Sequence, residues 1–166
     1  MQKIDKKEIL KLVINSLSES VSNANKSLNE TNDNINDAPG AMQSHSDTTR
    51  SQLTSVMKVT HESYLSKVKE LEILNKFLSK DINNISNDEV RIGSIINLKR
   101  DNGNITDNYF ILPGGSGIKV ESMGEKIVCI TPISPLGKIL LAKKKGQKFP
   151  YVIGNINQTA EVVDIF

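Results

Sequence analysis

Apolar residues in the first half of the chain recur at helical spacing. Leu10, Ile14, Leu17, Val21, Ala24 and Leu28 are separated by 4, 3, 4, 3 and 4 positions, the a/d seam of a coiled coil. Leu53, Met57, Thr60, Tyr64, Lys67, Leu71, Leu74 and Leu78 keep the same spacing, with apolar character strong from Leu71 onward and weaker before it. Each stretch alone is too polar for a stable helix. Paired antiparallel, each seam buries the other. This pairing sets Leu10, Ile14 and Leu17 beside Leu71, Leu74 and Leu78 as an apolar base, and leaves residues 22–52 as a polar tip, centred near 31–50. At about 1.5 Å per residue the hairpin is roughly 40 Å long. The base does not need the tip, so the tip is where function is expected. Within it, Asp37-Ala38-Pro39-Gly40 is turn chemistry, and Ser46 or Asp47 can cap the second helix. Taken on its own, Asp47 reads as a cap before it reads as chemistry.

The second half reads in period two. Val90 to Leu98 nearly alternates, Asp101-Asn102-Gly103-Asn104 is a turn signal, and Asn108 to Leu112 is a second strand. Pro113-Gly114-Gly115-Ser116-Gly117 reads as a hairpin loop, followed by short strands at Gly117–Val120 and Lys126–Ile130. Ser134-Pro135 opens a short helix through Ala142, with Ser at the N-cap and Pro in the first turn. Tyr151–Gly154 and Thr159–Phe166 add two closing strands. One short helix on a bent antiparallel sheet gives an α+β domain at 85–166, preceded by the hairpin at 1–84.

Composition sharpens this division. Residues 1–84 hold one of the 10 glycines (Gly40) and one of the 5 prolines (Pro39); the rest fall in 85–166, as expected where helix gives way to many turns. Charge does not divide the chain: 11 basic and 11 acidic residues precede position 85, and 10 and 8 follow. A net charge of +2 gives no general reason for nucleic-acid binding. The single Cys129 excludes an internal disulfide and a CxxC zinc site. No apolar run approaches the roughly 18 residues of a membrane span, and the charged start lacks a signal-peptide core. The expectation is a soluble cytoplasmic protein.

Most chemical motifs reduce to structure. The 114–117 glycines lack the Gly-Lys-Ser/Thr ending of a phosphate loop and precede no helix. His45 and His61 lie far apart with no HExxH. Lys138, Lys143, Lys144, Lys145 and Lys148 complement the end of the short helix and, without interleaved aromatics, make a weak nucleic-acid patch. Cys129 reads as a small core residue.

The segment from Ile130 to Phe149, ITPISPLGKILLAKKKGQKF, resembles the C-terminal signature of the bacterial Gre transcript cleavage factors, with Ala142 in place of the usual Gly and Gln147 in place of the usual Asp. Val90-Arg91-Ile92-Gly93-Ser94 is similar to that family's entry to the domain. The resemblance covers 88–166 in sequence and 1–84 in architecture only. It implies an antiparallel coiled coil joined to a domain like that of the FK506-binding prolyl isomerases. It further implies that the C-terminal domain docks on RNA polymerase through Ser134, Pro135, Leu136 and Gly137. The hairpin would then enter the secondary channel. Tip acids spaced D-x-x-E would help hold a Mg²⁺ shared with the polymerase, which then cleaves backtracked RNA. Here Asp47 falls on the second acidic position and neutral Ser44 on the first, with Asp37 or Asp33 able to substitute. Carboxylates suit the task because Mg²⁺ takes oxygen ligands. The expected protein is therefore an elongation factor rather than an enzyme. It would have no cofactor of its own, RNA polymerase and nascent RNA as partners, no membrane contact, and a monomeric state. The alternatives are a non-cleaving channel regulator, a prolyl isomerase and a structural adaptor. The isomerase is disfavoured by the absence of Trp and by Tyr109 and Phe110 being neighbours on one strand, which places them on opposite faces.

Overall fold

The computed structural model describes residues 5–37, 46–100, 105–122, 124–153 and 156–166; the side chains of 36–37, 46–50, 151–153 and 156–158 are outside the described set. Two long helices, α1 (Lys6–Asp37) and α2 (Ser46–Leu78), form the hairpin. Their inward positions follow the heptad seam: in α1 Leu10, Leu17 and Leu28 are buried and Ile14, Val21, Ala24, Thr31 and Ile35 half-buried. In α2 all eight seam positions from Leu53 to Leu78 are buried or half-buried. The seam threonines satisfy themselves within their own helix. The Thr31 hydroxyl donates to the Ser27 carbonyl at 2.8 Å and the Thr60 hydroxyl to the Val56 carbonyl at 2.9 Å, so neither leaves an unpaired group at the interface.

Asp5 caps α1, its Oδ1 accepting from the Lys7 and Glu8 amides at 3.0 and 3.3 Å. Asn83, in a 3₁₀ turn at Ile82–Asn84, accepts from the Lys6 amide at 3.1 Å and donates to Asp5 at 3.2 Å. The start of α1 is thus tied to the segment that leaves α2.

Six strands make one sheet: β1 (Ile95–Arg100), β2 (Ile105–Ile111), β3 (Lys119–Ser122), β4 (Glu125–Ile130), β5 (Lys148–Ile153) and β6 (Ile156–Ile165). The spatial order is β3-β4-β2-β1-β6-β5. Four pairings are antiparallel, and β2 with β4 is parallel. This differs from the hairpin expected across 113–117. The chain leaves β2, passes to the outer edge as β3, and returns as β4 between them, so the glycine loop is a crossover. Val90–Ser94 is also not strand; it is a turn with Gly93 at φ 96° that delivers the chain into β1. Pro150 is tolerated in β5 because β5 is an edge.

Both faces of the sheet are covered. On one, Phe110, Leu112, Ile95, Ile127 and Cys129 pack against Ile9, Leu10, Val13, Leu17, Leu74 and Phe77 from the hairpin base. On the other, Ile96, Leu98, Ile111, Val162 and Phe149 pack beneath Leu140 of the short helix α3 (Pro135–Leu140). Ile9, Val13 and Phe77 lie off the heptad seam because they face the sheet rather than the partner helix.

Candidate functional site

Two regions carry the sequence-based site residues. The first is the hairpin tip. Asp37 ends α1 and Asp47 is the second residue of α2; their side chains, the 38–45 connection, and with it Ser44, His45 and the Pro39-Gly40 turn, lie outside the described residues. Asp33, one turn below, is exposed. Among the described residues no group of three or more His, Cys, Asp or Glu converges on a metal position. The resemblance implies Mg²⁺ ligands at the tip acids, carboxylates being oxygen ligands of the right hardness for that ion.

The second region is the 131–137 turn. Ser134 is the N-cap of α3, its Oγ accepting from the Gly137 amide at 3.1 Å and donating to the Thr131 carbonyl at 2.7 Å. Pro135 starts the helix where a missing N–H costs nothing. A Cβ on Gly137 would collide with the Thr131 carbonyl oxygen, so only glycine lets the helix fold back this tightly. Ser134 and Gly137 thus build the turn, while Pro135 is exposed and Leu136 half-buried. Beside them Ile133 is 79% exposed, the most exposed large apolar side chain among the described residues. Sequence reading did not single out Ile133, although its place between two turn-forming prolines was a usable signal. A short apolar ridge held by a rigid turn is suited to contact with another protein.

The basic residues around this turn are partly committed. Lys145 pairs with Asp164 at 2.9 Å and Lys148 with Glu161 at 3.6 Å, and the Lys143 ammonium lies 5.9 Å from the Phe149 ring centre. Gln147 accepts from the Lys144 amide at 2.8 Å, closing the turn between them. Lys138 is exposed.

The aromatics expected to split do so: Phe110 joins the hairpin-side core and Tyr109 packs against the opposite one. Phe149 is on the Tyr109 side and Phe166 on the Phe110 side. Cys129 is buried, and burial pushes its thiol up to about 12, as befits a core residue rather than a nucleophile. His61 is exposed on α2.

The glycine loop meets the hairpin. Gly115 donates its amide to Glu70 Oε2 of α2 at 2.7 Å, and a Cβ on Gly114 would lie 3.4 Å from that of Glu70. Gly114 and Gly115 serve close approach to the hairpin, whereas Gly117, at φ 83° in open space, serves the turn.

No protein-family model matches the chain, and no curated protein matches it. Among solved structures it is similar to the transcription factor Gfh1, at 17% identity and TM-score 0.39 over 92% of each chain. It is similar to Thermus aquaticus Gfh1 at 16% identity and TM-score 0.40, over 95% of this chain and 92% of that one. It is also similar to the transcription elongation factor GreA/GreB from Nitrosomonas europaea, at 16% identity and TM-score 0.38, over 60% of this chain and 78% of that one. At such scores the likeness decides no function; the functional reading rests on the chain's own residues.

Proposed function

We propose that the protein is a monomeric accessory factor of RNA polymerase that acts through the secondary channel. Its C-terminal domain docks through the ridge of Ile133, Pro135 and Leu136, and its hairpin presents a polar tip to the polymerase active site. One observation carries this reading. The hairpin is far longer than its core needs: only Ile9–Leu17 and Leu71–Leu78 join the sheet-side core, while α1 runs 32 residues and α2 33, about 48 Å of helix. The outer part is held by its own thin seam, with Leu28 the one fully apolar buried position beyond Leu17 in α1 among the described residues. A projecting stalk with a polar end serves reach.

In the cleavage-stimulating form of this function, Asp47 and Asp37 contribute oxygen ligands to a Mg²⁺ shared with the polymerase. That ion, when bound, would stabilise the attacking and leaving oxygens of RNA hydrolysis. This chain's own part is to carry the two carboxylates to the site and hold them there. Neutral Ser44, where the family pattern has an acid, favours the second form, a regulator that fills the channel without promoting cleavage. Both forms are tested with a halted, backtracked elongation complex from the matching host, treated with wild type, Asp47→Ala or buffer, with polymerase binding followed in parallel. Cleavage that is lost in Asp47→Ala establishes the first form, and tight binding without cleavage the second. Absence of both sinks the function and leaves the fold.

A further inference from the structure

A cavity of about 210 Å³ lies on the hairpin side of the sheet, under the first turn of α1 and away from both the tip and the 131–137 ridge. Its floor is apolar, formed by Ile9, Ile95, Ile127 and Phe166. Asn97 and Asn108 line it from the centre of the sheet, and Glu8 and Glu125 stand at its rim. We propose that this cavity binds a guanidinium or ammonium group carried on a short aliphatic stem.

Size sets the class of ligand. The cavity is below the ~300–1,000 Å³ of pockets that take drug-sized molecules, which leaves a side chain or a small amine rather than a nucleotide. Its apolar floor suits methylenes, and among the described residues no three His, Cys, Asp or Glu side chains converge to hold a metal ion. Charge sets the sign. Asn97 Nδ2 donates to Asn108 Oδ1 at 2.9 Å, and Asn108 Nδ2 donates to Glu125 Oε2 at 3.2 Å. This relay fixes Glu125 while leaving its second oxygen unspent. Glu8 has no side-chain hydrogen bond or ion pair among the described residues, and none of the ion pairs there uses Glu125. Among the described residues no Lys, Arg or His lines the cavity. Asp5, also at the rim, caps α1 through Oδ1; hydrogen bonds from Asn83 and the helix amides hold its carboxyl below the usual range, so it adds negative field beside Glu8 and Glu125.

Each rim residue has a simpler explanation in isolation. Glu8 suits a helix N-terminus, and Asn97–Asn108 is a cross-strand hydrogen bond. Neither explains why two amides share a sheet face with Ile95 and Phe110, both fully buried, at positions where apolar residues would close the core. A cation on an apolar stem matches floor and rim together.

The test is a titration of the full ¹⁵N-labelled chain with n-butylguanidinium, against the neutral isostere n-butylurea and the capped tripeptide acetyl-Gly-Arg-Gly-amide. The expected result is saturable shifts at the Asn97 and Asn108 side-chain amides with n-butylguanidinium and not with n-butylurea. Affinity should fall about tenfold in Glu8→Gln/Glu125→Gln, the loss of a charge-assisted hydrogen bond. Binding by the tripeptide as well identifies an arginine of a protein partner as the source; binding by n-butylguanidinium alone identifies a free small amine. The proposal is overturned by absence of shifts at about 10 mM n-butylguanidinium, by equal binding of n-butylurea, or by unchanged affinity in the double variant. If that variant does not fold, the comparison of charged and neutral isosteres on wild type decides alone.

Discussion

Ala142 sits at φ 62°, just past the end of α3, with its amide donating to the Val90 carbonyl at 2.9 Å. In this left-handed region a Cβ costs about 1–2 kcal/mol, a cost that glycine avoids. Ala142→Gly is therefore expected to stabilise the protein by about 1 kcal/mol after the entropy of the unfolded chain is counted, seen as a higher urea midpoint at unchanged slope. Gly137 is the opposite case. Gly137→Ala forces a methyl onto the Thr131 carbonyl and should lower stability by about 1–3 kcal/mol in the same measurement. Cys129 supplies a pH test. Its thiol is raised from 9.0 to about 12 by burial, so above pH 9 the unfolded chain loses a proton that the folded chain keeps. Stability from this group is full below 9 and is lost as pH rises toward 12. The difference in urea midpoint between wild type and Cys129→Ala should shrink across that window, and native Cys129 should resist alkylation at pH 8 until urea unfolds the protein.

At the scale of elements, the joint between hairpin and sheet domain turns on Glu70, whose carboxylate receives the Gly115 amide. Glu70→Ala leaves that buried amide without its acceptor, a cost of about 1–3 kcal/mol, and should speed hydrogen exchange at Gly115 by at least about tenfold. This contact also marks where sequence reading ends. The seam from Leu10 to Leu28 and from Leu53 to Leu78 was legible because a heptad is set by neighbouring turns of one helix. Ser134-Pro135 was legible because a cap is local. The glycines at 114–117 looked like a hairpin because their partner lies 45 positions upstream, and no local pattern names it. The parallel β2–β4 pairing was illegible for the same reason, since strand order is decided by packing across the whole sheet. At the tip, spacing put Asp37 and Asp47 near one another in sequence terms, but how two carboxylates approach depends on turn geometry that no periodicity fixes.

Taken as a whole molecule, the protein has two tiers of stability. Its base is a shared core in which Leu10, Val13 and Leu74 are fully buried against the sheet. Beyond it the stalk is sealed by Leu28 at 8% exposure, by half-buried Val21, Ala24 and Met57, and by the self-satisfied Thr31 and Thr60. Apolar area, not helix length, sets how firmly each part is held, so the two should open separately. Leu74→Ala is expected to cost about 2–5 kcal/mol and to lower the cooperative unfolding midpoint of the entire chain. Leu28→Ala should instead raise amide exchange only in the outer turns of α1 and α2, with exchange at β1, β2 and β4 unchanged. Equal effects of the two variants on exchange in the sheet would show a single cooperative unit. A stalk that yields locally while the base holds would suit the proposed function: its end could adjust to a partner's walls without loosening the sheet domain.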